Sequence, residues 1–173
     1  MWEKAIAGMC VMTGAFGFGW SLCREMSDML FHLKEQKRLL LFIVREISFM
    51  HRPMQEIFSA VGERMKDPYQ EFLMAVSEGM EQRTGKSLQE IWHDNVELLQ
   101  KNGSCPKEAA RILLRLGECF GCEEDKMQID ALKLLEAELS DEIDSRSKEK
   151  EEKSRLIRTL SVLAGIFCIV LFI

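Results

Sequence analysis

Two long uncharged runs stand at the ends of the sequence. Residues 5–23 form a run of 19 positions without a charge, and residues 159–173 form another of 15. As a helix, the first run reaches about 28 Å, close to the roughly 30 Å hydrocarbon core of a bilayer. The second run lengthens to 18 residues when it is counted from Leu156, because the stem of Arg158 can carry its charge to the interface. The pattern predicts transmembrane helices at 5–23 and 156–173.

The first run has a second interpretation, a cleaved secretory signal. Ala15, Phe16 and Gly17 form a small-x-small site of the kind that a signal peptidase cuts. The apolar run continues beyond this site to Leu22, which favours a retained span. Basic residues cluster on the central side of both runs, whereas the outer side has only Lys4 and the terminal amine. This bias predicts that the middle of the chain, residues 24–155, faces the cytoplasm.

The middle of the chain carries apolar residues at a spacing of three and four, which is typical of helices with one buried face. The first such stripe consists of Met26, Met29, Leu30, Leu33, Leu40, Ile43, Val44 and Ile47. No segment alternates strictly enough to indicate a strand. Trp92 is assigned to the core that these stripes form. The prediction is an all-α, antiparallel bundle of about six helices between an N-terminal and a C-terminal transmembrane helix.

Short breaks separate the predicted helices. Pro53 is placed at the first position of the second helix, where its missing N–H does no harm, and Asp67 is placed as the N-cap of the third. Gly85 suits the left-handed conformation at a helix C-terminus. Ser87 and Glu90 then form a capping box, which opens a helix over Leu88–Lys101.

The last helix is predicted to be unusually long. Gly117 and Gly121 bracket a turn, after which the acidic residues Glu123, Glu124 and Asp125 suit the positive N-terminal end of a helix. From there about fifty residues follow without a proline. Its buried edge consists of Leu132, Leu135, Leu139 and Ile143. Residues 144–155 contain no apolar residue, which indicates a solvated neck, with a partner-binding tract as the alternative.

Two short motifs suggest chemistry that their surroundings do not support. The stretch GMEQRTGKS, residues 79–87, ends like a phosphate-binding loop, but that loop needs a glycine at position 80, which is Met80, and a preceding strand. The pair Cys119 and Cys122 has the spacing of a half zinc site, yet no second pair of ligands accompanies it. We interpret the first motif as a helix boundary and the second as incidental cysteines in a turn.

A search for catalytic or cofactor motifs gives nothing. The three histidines are scattered, and no nucleophile stands in a recognisable motif with a base. We therefore predict no catalytic residue, no cofactor and no metal. The net charge of −5 and the absence of a basic stripe in the sequence predict that nucleic acid is not a partner.

The order of motifs along the chain resembles the stage III sporulation protein AB family. The resemblance is carried by REI at 45–47 followed closely by Pro53, by GKSLQEIW ending in Trp92, by LGECFGCEEDKMQ at 116–128 ending in Gln128, and by the charged neck and closing apolar helix. It covers essentially the whole chain. One departure is Cys122, where the family usually has a small hydroxyl residue.

The resemblance implies a function that the residues alone do not give. The family is similar to the cytoplasmic domain of the platform protein of type II secretion and type IV pilus systems. It implies a non-enzymatic component of a mother cell–forespore channel, in the mother-cell membrane, which docks a cytoplasmic hexameric secretion-type ATPase. Other membrane components of the channel and membrane lipid are the further implied partners. Glu123, Glu124 and Asp125 are the candidate docking residues, because they stand beside a turn.

Two other functions stay open at this stage. The chain can be a membrane-tethered scaffold that self-associates through its last helix without an ATPase, which makes a homo-oligomer possible. It can also be an exported protein whose leader is removed.

Overall fold

The computed structural model describes residues 2–50, 52–82, 85–120 and 125–172, all but a few of them helical. Within these ranges, the side chains of 2–20, 22, 23, 50, 125, 162 and 164–172 are not described. The described residues form six helices and no strand, which confirms the all-α class and the number of helices. The helices are α1 (Trp2–Met50), α2 (Met54–Gly62), α3 (Tyr69–Glu81), α4 (Leu88–Lys101), α5 (Lys107–Cys119) and α6 (Asp125–Phe172).

The chain divides into two compact units. One is continuous, Phe31–Ile143, and contains the end of α1, all of α2 to α5 and the beginning of α6. The other combines Met1–Leu30 with Asp144–Ile173, the outer parts of the two long helices. α6 is one helix through the neck at 144–155, a continuity that the sequence left open.

The core of the unit Phe31–Ile143 follows the predicted apolar stripes. On α6 the four predicted positions are all buried, and on α2 and α3 the apolar residues at three-and-four spacing are buried too. On α1 the stripe is narrower than predicted, because Val44 and Ile47 are only half-buried. Leu39, which the prediction omitted, takes a fully buried place beside Leu40.

Trp92 lies at the centre of an aromatic cluster in this core. Its ring centroid is 4.8 Å from that of Phe72, 5.1 Å from Phe120 and 5.6 Å from Phe58. The indole Nε1 donates a hydrogen bond of 2.7 Å to the carbonyl oxygen of Leu113, so the buried N–H is satisfied. The four rings come from α2, α3, α4 and the end of α5, and they hold these elements together.

Gly117 allows α5 to approach the indole closely. A Cβ atom at this position would lie 2.8 Å from Trp92 Nε1 and closer still to Cδ1. Real side chains essentially never approach so closely, so a residue larger than glycine forces the ring or the helix to move. Gly117 is therefore a packing residue of α5.

Two predicted helix starts need correction. Pro53 is the N-cap of α2 rather than its first residue, because its ψ of 141° is extended and only its carbonyl joins the helix, accepting from Glu56 N at 3.0 Å. Asp67 does not cap α3, whose N-cap is Pro68. The Lys66 carbonyl already accepts from Tyr69 N at 3.0 Å, so a capping carboxylate is not needed there.

The start of α4 is as predicted. Ser87 Oγ accepts from Glu90 N at 3.2 Å, and Glu90 Oε2 accepts from Ser87 N at 2.7 Å, which completes the capping box. Gly85 has a φ of 79°, in the left-handed region that glycine adopts without strain. The GKS sequence is thus a helix boundary within the described residues.

Among the helices as far as the structure describes them, none combines the length and the apolar character that a membrane crossing requires. That finding lends no support to the predicted spans at 5–23 and 156–173. Most side chains of both spans lie outside the described residues.

Replacing Gly117 with alanine is expected to lower the free energy of unfolding by about 1–3 kcal/mol, because the new methyl group overlaps the Trp92 ring. The measurement is chemical denaturation of the full chain followed by far-ultraviolet circular dichroism. Glu118→Ala, at the exposed neighbouring position of α5, is the control and should change stability by less than about 0.5 kcal/mol. Equal stability of the two variants would contradict the close packing.

Candidate functional site

The structure locates part of the predicted docking segment. Asp125 begins α6, although its side chain is not described. Glu123 and Glu124 lie outside the described residues, as does Gly121. The placement of an acidic segment immediately before α6 therefore rests on the sequence. The described residues next to it along the chain belong to α5 and α6.

A groove runs between the end of α5 and the first part of α6. Its volume is about 300 Å³, and it is lined by Arg115, Glu118, Cys119, Ala131, Leu134, Leu135 and Glu138. Leu135 is buried, whereas Leu134 keeps 65 % of its surface exposed. Met127, seven residues before Leu134 and therefore on the same face of α6, is 64 % exposed. Exposed apolar residues of this size at helical spacing are typical of an interaction surface.

Charged side chains form the rim of the groove. Arg115 Nη2 lies 2.7 Å from Glu138 Oε2, which joins α5 to α6 across the opening. Both side chains are about half exposed, so this ion pair contributes little to stability. The Cys119 thiol donates to the Arg115 carbonyl oxygen at 3.4 Å. The lining includes no histidine, serine or lysine, and the arrangement suits binding of an apolar side chain rather than catalysis.

The cysteine pair is only partly described. Cys119 is the last residue of α5 and half-buried, and Cys122 lies outside the described residues. In the part of the chain that the structure describes, no group of three potential metal ligands comes together.

The other structural residues singled out in the sequence take different places. Trp92 and Gly117 lie in the core, as described above. Gln128 is also buried, 7 % exposed, on the core side of α6. Pro53 is exposed at the start of α2. None of these four lines the groove.

A buried polar cluster connects α1, α3 and α5, and sequence reasoning missed it. The Gln36 amide Nε2 donates to Tyr69 Oη at 3.1 Å and to the Ala109 carbonyl oxygen at 2.8 Å. His32 Nδ1 lies 2.9 Å from the same hydroxyl. The signal was present in the sequence, since Gln36 and His32 stand among the apolar positions of α1 that are buried.

Cys105 adjoins this cluster, and burial changes its acidity. The thiol is 4 % exposed, and burial raises its pKa to about 11, although a hydrogen bond with the Tyr69 hydroxyl acts in the opposite direction. Burial also raises the pKa of Tyr69. Both groups are therefore neutral at physiological pH, and the cluster contains no activated nucleophile.

One surface of α1 is more basic than the net charge of the chain indicates. On α1, the exposed positions from Phe31 to Phe49 include Lys34, Arg38 and Arg45 and no acidic residue. The sequence alone does not reveal this basic surface, because the acidic residues beside it, such as Glu46, are largely buried in the fold. The prediction that nucleic acid is not a partner stays a prediction.

The fold defines the class of the chain: its described residues form a small all-α protein of six helices, the first and last of which are long, with a groove between α5 and α6. A family model described as Stage III sporulation protein AB matches residues 4–173, and the chain belongs to that family. This confirms the resemblance found in the sequence and indicates a role in sporulation.

A solved structure has a similar fold. It is entitled "Stage III sporulation protein AB (SpoIIIAB)", and it superposes with a TM-score of 0.64 at 16 % sequence identity. The match covers 72 % of this chain and 98 % of that one. No curated protein matches the chain.

The free energy of unfolding is expected to fall as the pH rises from 9 toward 11. The folded-state pKa of Cys105 is raised from 9.0 to about 11, so the unfolded chain loses this proton first. The stabilisation is complete below pH 9 and is lost as the pH approaches 11, by about 2 kcal/mol. Urea denaturation at pH 8 to 11 measures it.

Cys105→Ala should make this dependence shallower. A wild-type slope equal to that of Cys105→Ala would show that the buried thiol does not contribute.

Proposed function

We propose that this protein is a non-enzymatic membrane component of a mother cell–forespore channel, and that it docks a cytoplasmic hexameric secretion-type ATPase. In this proposal the unit Phe31–Ile143 faces the cytoplasm. The helices at 5–23 and 156–173 hold it in the mother-cell membrane, where other channel components and lipid surround it. Family membership supports the sporulation role.

The membrane attachment rests on the sequence and on one surface of α6. The uncharged runs have the length of a span, and the basic residues lie on their central side. Leu156, Leu160 and Leu163 are exposed by 62 %, 64 % and 57 %, and their spacing places them on one face of the helix. Exposure of such a leucine stripe to water is unfavourable, whereas its contact with lipid is favourable.

The docking role rests on the surface at the start of α6. The groove beside Leu134 and the exposed Met127 provide an apolar contact area, and the acidic residues 123–125 precede it in the chain. An apolar centre with a charged margin is the usual anatomy of a protein interface. The acidic residues 123–125 favour a basic complementary surface on the ATPase, and they accelerate association of the two proteins at low salt.

A platform that catalyses nothing is consistent with the described interior. The buried polar cluster is used for packing, and its thiol and hydroxyl are held neutral. The alternative is a tethered scaffold that self-associates without an ATPase. It differs from the main proposal in needing no partner at the groove.

Co-flotation of the ATPase with liposomes that contain the full chain tests the proposal. We expect the chain to stay with the liposomes after alkaline carbonate washing and to carry the ATPase with it. Leu134→Asp, which puts a charge in the groove, should weaken ATPase binding by about tenfold or more, because truncation or charging of a central apolar contact costs at least 1.4 kcal/mol.

Leu98→Asp is the matched control, since Leu98 is a leucine of α4 with 55 % of its surface exposed and does not line the groove. It should leave binding unchanged. Extraction of the chain by carbonate would contradict the spans. A chain that stays in the liposomes without recruiting the ATPase would instead contradict docking and favour the scaffold.

A further inference from the structure

The exposed face of α1 in the unit Phe31–Ile143 has an unusual composition. Its members are Phe31, Lys34, Arg38, Leu41, Arg45, Ser48 and Phe49. Three of these residues are basic, three are large and apolar, and none is acidic. Exposed helix faces normally mix both signs of charge and carry few large apolar residues, so this basic apolar face is typical of an interaction surface.

None of the basic residues of this face has a close carboxylate partner among the described residues. Neither Lys34 nor Arg45 has a carboxylate within ion-pair distance among the described residues. Arg38 reaches Glu35 only at 3.9 Å, its Nη2 donates to the Arg64 carbonyl oxygen at 3.3 Å, and its guanidinium lies over the Phe42 ring, 5.4 Å from the centroid. In a chain of net charge −5, a face with three positive charges and no negative one favours an acidic partner surface.

The exposed face of α3 has the complementary composition. Its members are Gln70, Glu71, Met74, Glu78 and Glu81. Three are acidic, none is basic, and Met74 keeps 40 % of its surface exposed. We refer to it as the acidic face of α3.

The two faces carry their residues at the same spacing. On α1, Arg38 and Arg45 are seven residues apart with Leu41 between them, and on α3, Glu71 and Glu78 are seven residues apart with Met74 between them. In both helices the apolar residue comes three positions after the first charge. Seven residues correspond to about 10.5 Å along a helix, so both charge pairs can form around one apolar contact.

Hydrogen bonds from α3 to α1 and to the start of α2, the helix that follows α1, indicate that α1 and α3 run in the same direction. Tyr69, the first residue of α3, contacts Gln36 of α1. Near the other end of α3, Ser77 Oγ donates at 3.0 Å to the carbonyl oxygen of Gln55, five residues after α1 ends. Arg38 follows Gln36 by two residues as Glu71 follows Tyr69 by two, so the two charges lie at similar heights along the parallel helices.

The two faces cannot meet within one molecule. Gln36 and Tyr69, which join the helices, lie on the sides of α1 and α3 opposite to the exposed faces, since two positions correspond to about 200° around a helix. When two copies are related by rotation about an axis parallel to α1, equivalent residues of both copies lie at the same position along that axis. The basic apolar face of one copy then lies level with the acidic face of α3 on the next.

We propose that copies of this chain associate side by side, with the basic apolar face of α1 packed on the acidic face of α3 of the neighbouring copy. Arg38 pairs with the neighbour's Glu71 and Arg45 with its Glu78, around a contact of Leu41 with Met74. The contact joins two different surfaces, so it is heterologous and builds a ring or an open row. It involves neither the groove nor the start of α6, and it does not depend on an ATPase.

Reversal of one charge on each face tests the proposal. Sedimentation equilibrium of the full chain in density-matched detergent should show a self-associating wild type whose association weakens as salt is raised from about 50 mM to 500 mM. Arg45→Glu and Glu78→Arg should each reduce the association constant by about tenfold or more, because each places like charges opposite one another. The double variant Arg45→Glu/Glu78→Arg should restore association to within about threefold of the wild type.

Arg111→Glu is the control, because it reverses an equally exposed arginine on α5. It should associate like the wild type, and all variants should keep the thermal unfolding transition. A wild type that is monomeric at every concentration, or a double variant that stays dissociated, would overturn the proposal. A monomeric wild type that binds poly-glutamate or duplex DNA through Arg45 would likewise overturn it and assign the face to another partner.

Discussion

The buried amide of Gln36 fixes how α1, α3 and α5 are aligned, and the surfaces of the protein depend on that alignment. Its Nε2 donates at once to the Tyr69 hydroxyl and to the Ala109 carbonyl, across 33 and 73 positions of sequence. This arrangement lowers stability in one respect, because in the described part of the chain Gln36 Oε1 is buried without a hydrogen-bond partner. An apolar residue would avoid this cost, but it would hold no particular register between the helices. Buried polar residues are known to select one arrangement among several similar packings.

The interior positions the surfaces on which the proposed function depends. The aromatic cluster around Trp92 joins α2 to α5, and Gly117 lets α5 approach the indole. Because the interior is fixed, the exposed residues of α1 and α3 lie at similar positions along the two parallel helices. The groove lies between α5 and α6. In the proposed function, the protein acts by presenting these surfaces to other proteins. This agrees with its membership in a sporulation family and with the absence of activated groups in its described interior.

The fold was predictable wherever a local pattern decides the structure. The apolar spacing of α6, the capping box of Ser87 and Glu90 and the left-handed Gly85 each depend on a few neighbouring residues, and each was predicted. The starts of α2 and α3 were misplaced because they depend on backbone carbonyls, which the sequence does not reveal. The buried cluster joins residues far apart in the chain. The basic face of α1 requires knowledge of which charges are buried, and the net charge of −5 conceals it. The groove likewise arises only when α5 meets α6.

Hydrogen exchange of the backbone amides in Gln36→Leu tests the alignment most directly, because leucine keeps most of the buried volume and removes only the hydrogen bonds. The account predicts that protection falls together in the described parts of α1 after Phe31, in α3 and in α5, while Gln89→Leu on the exposed side of α4 changes nothing beyond its own turn. If protection falls only around position 36, or in none of the three helices, the Gln36 tie does not hold the bundle in register.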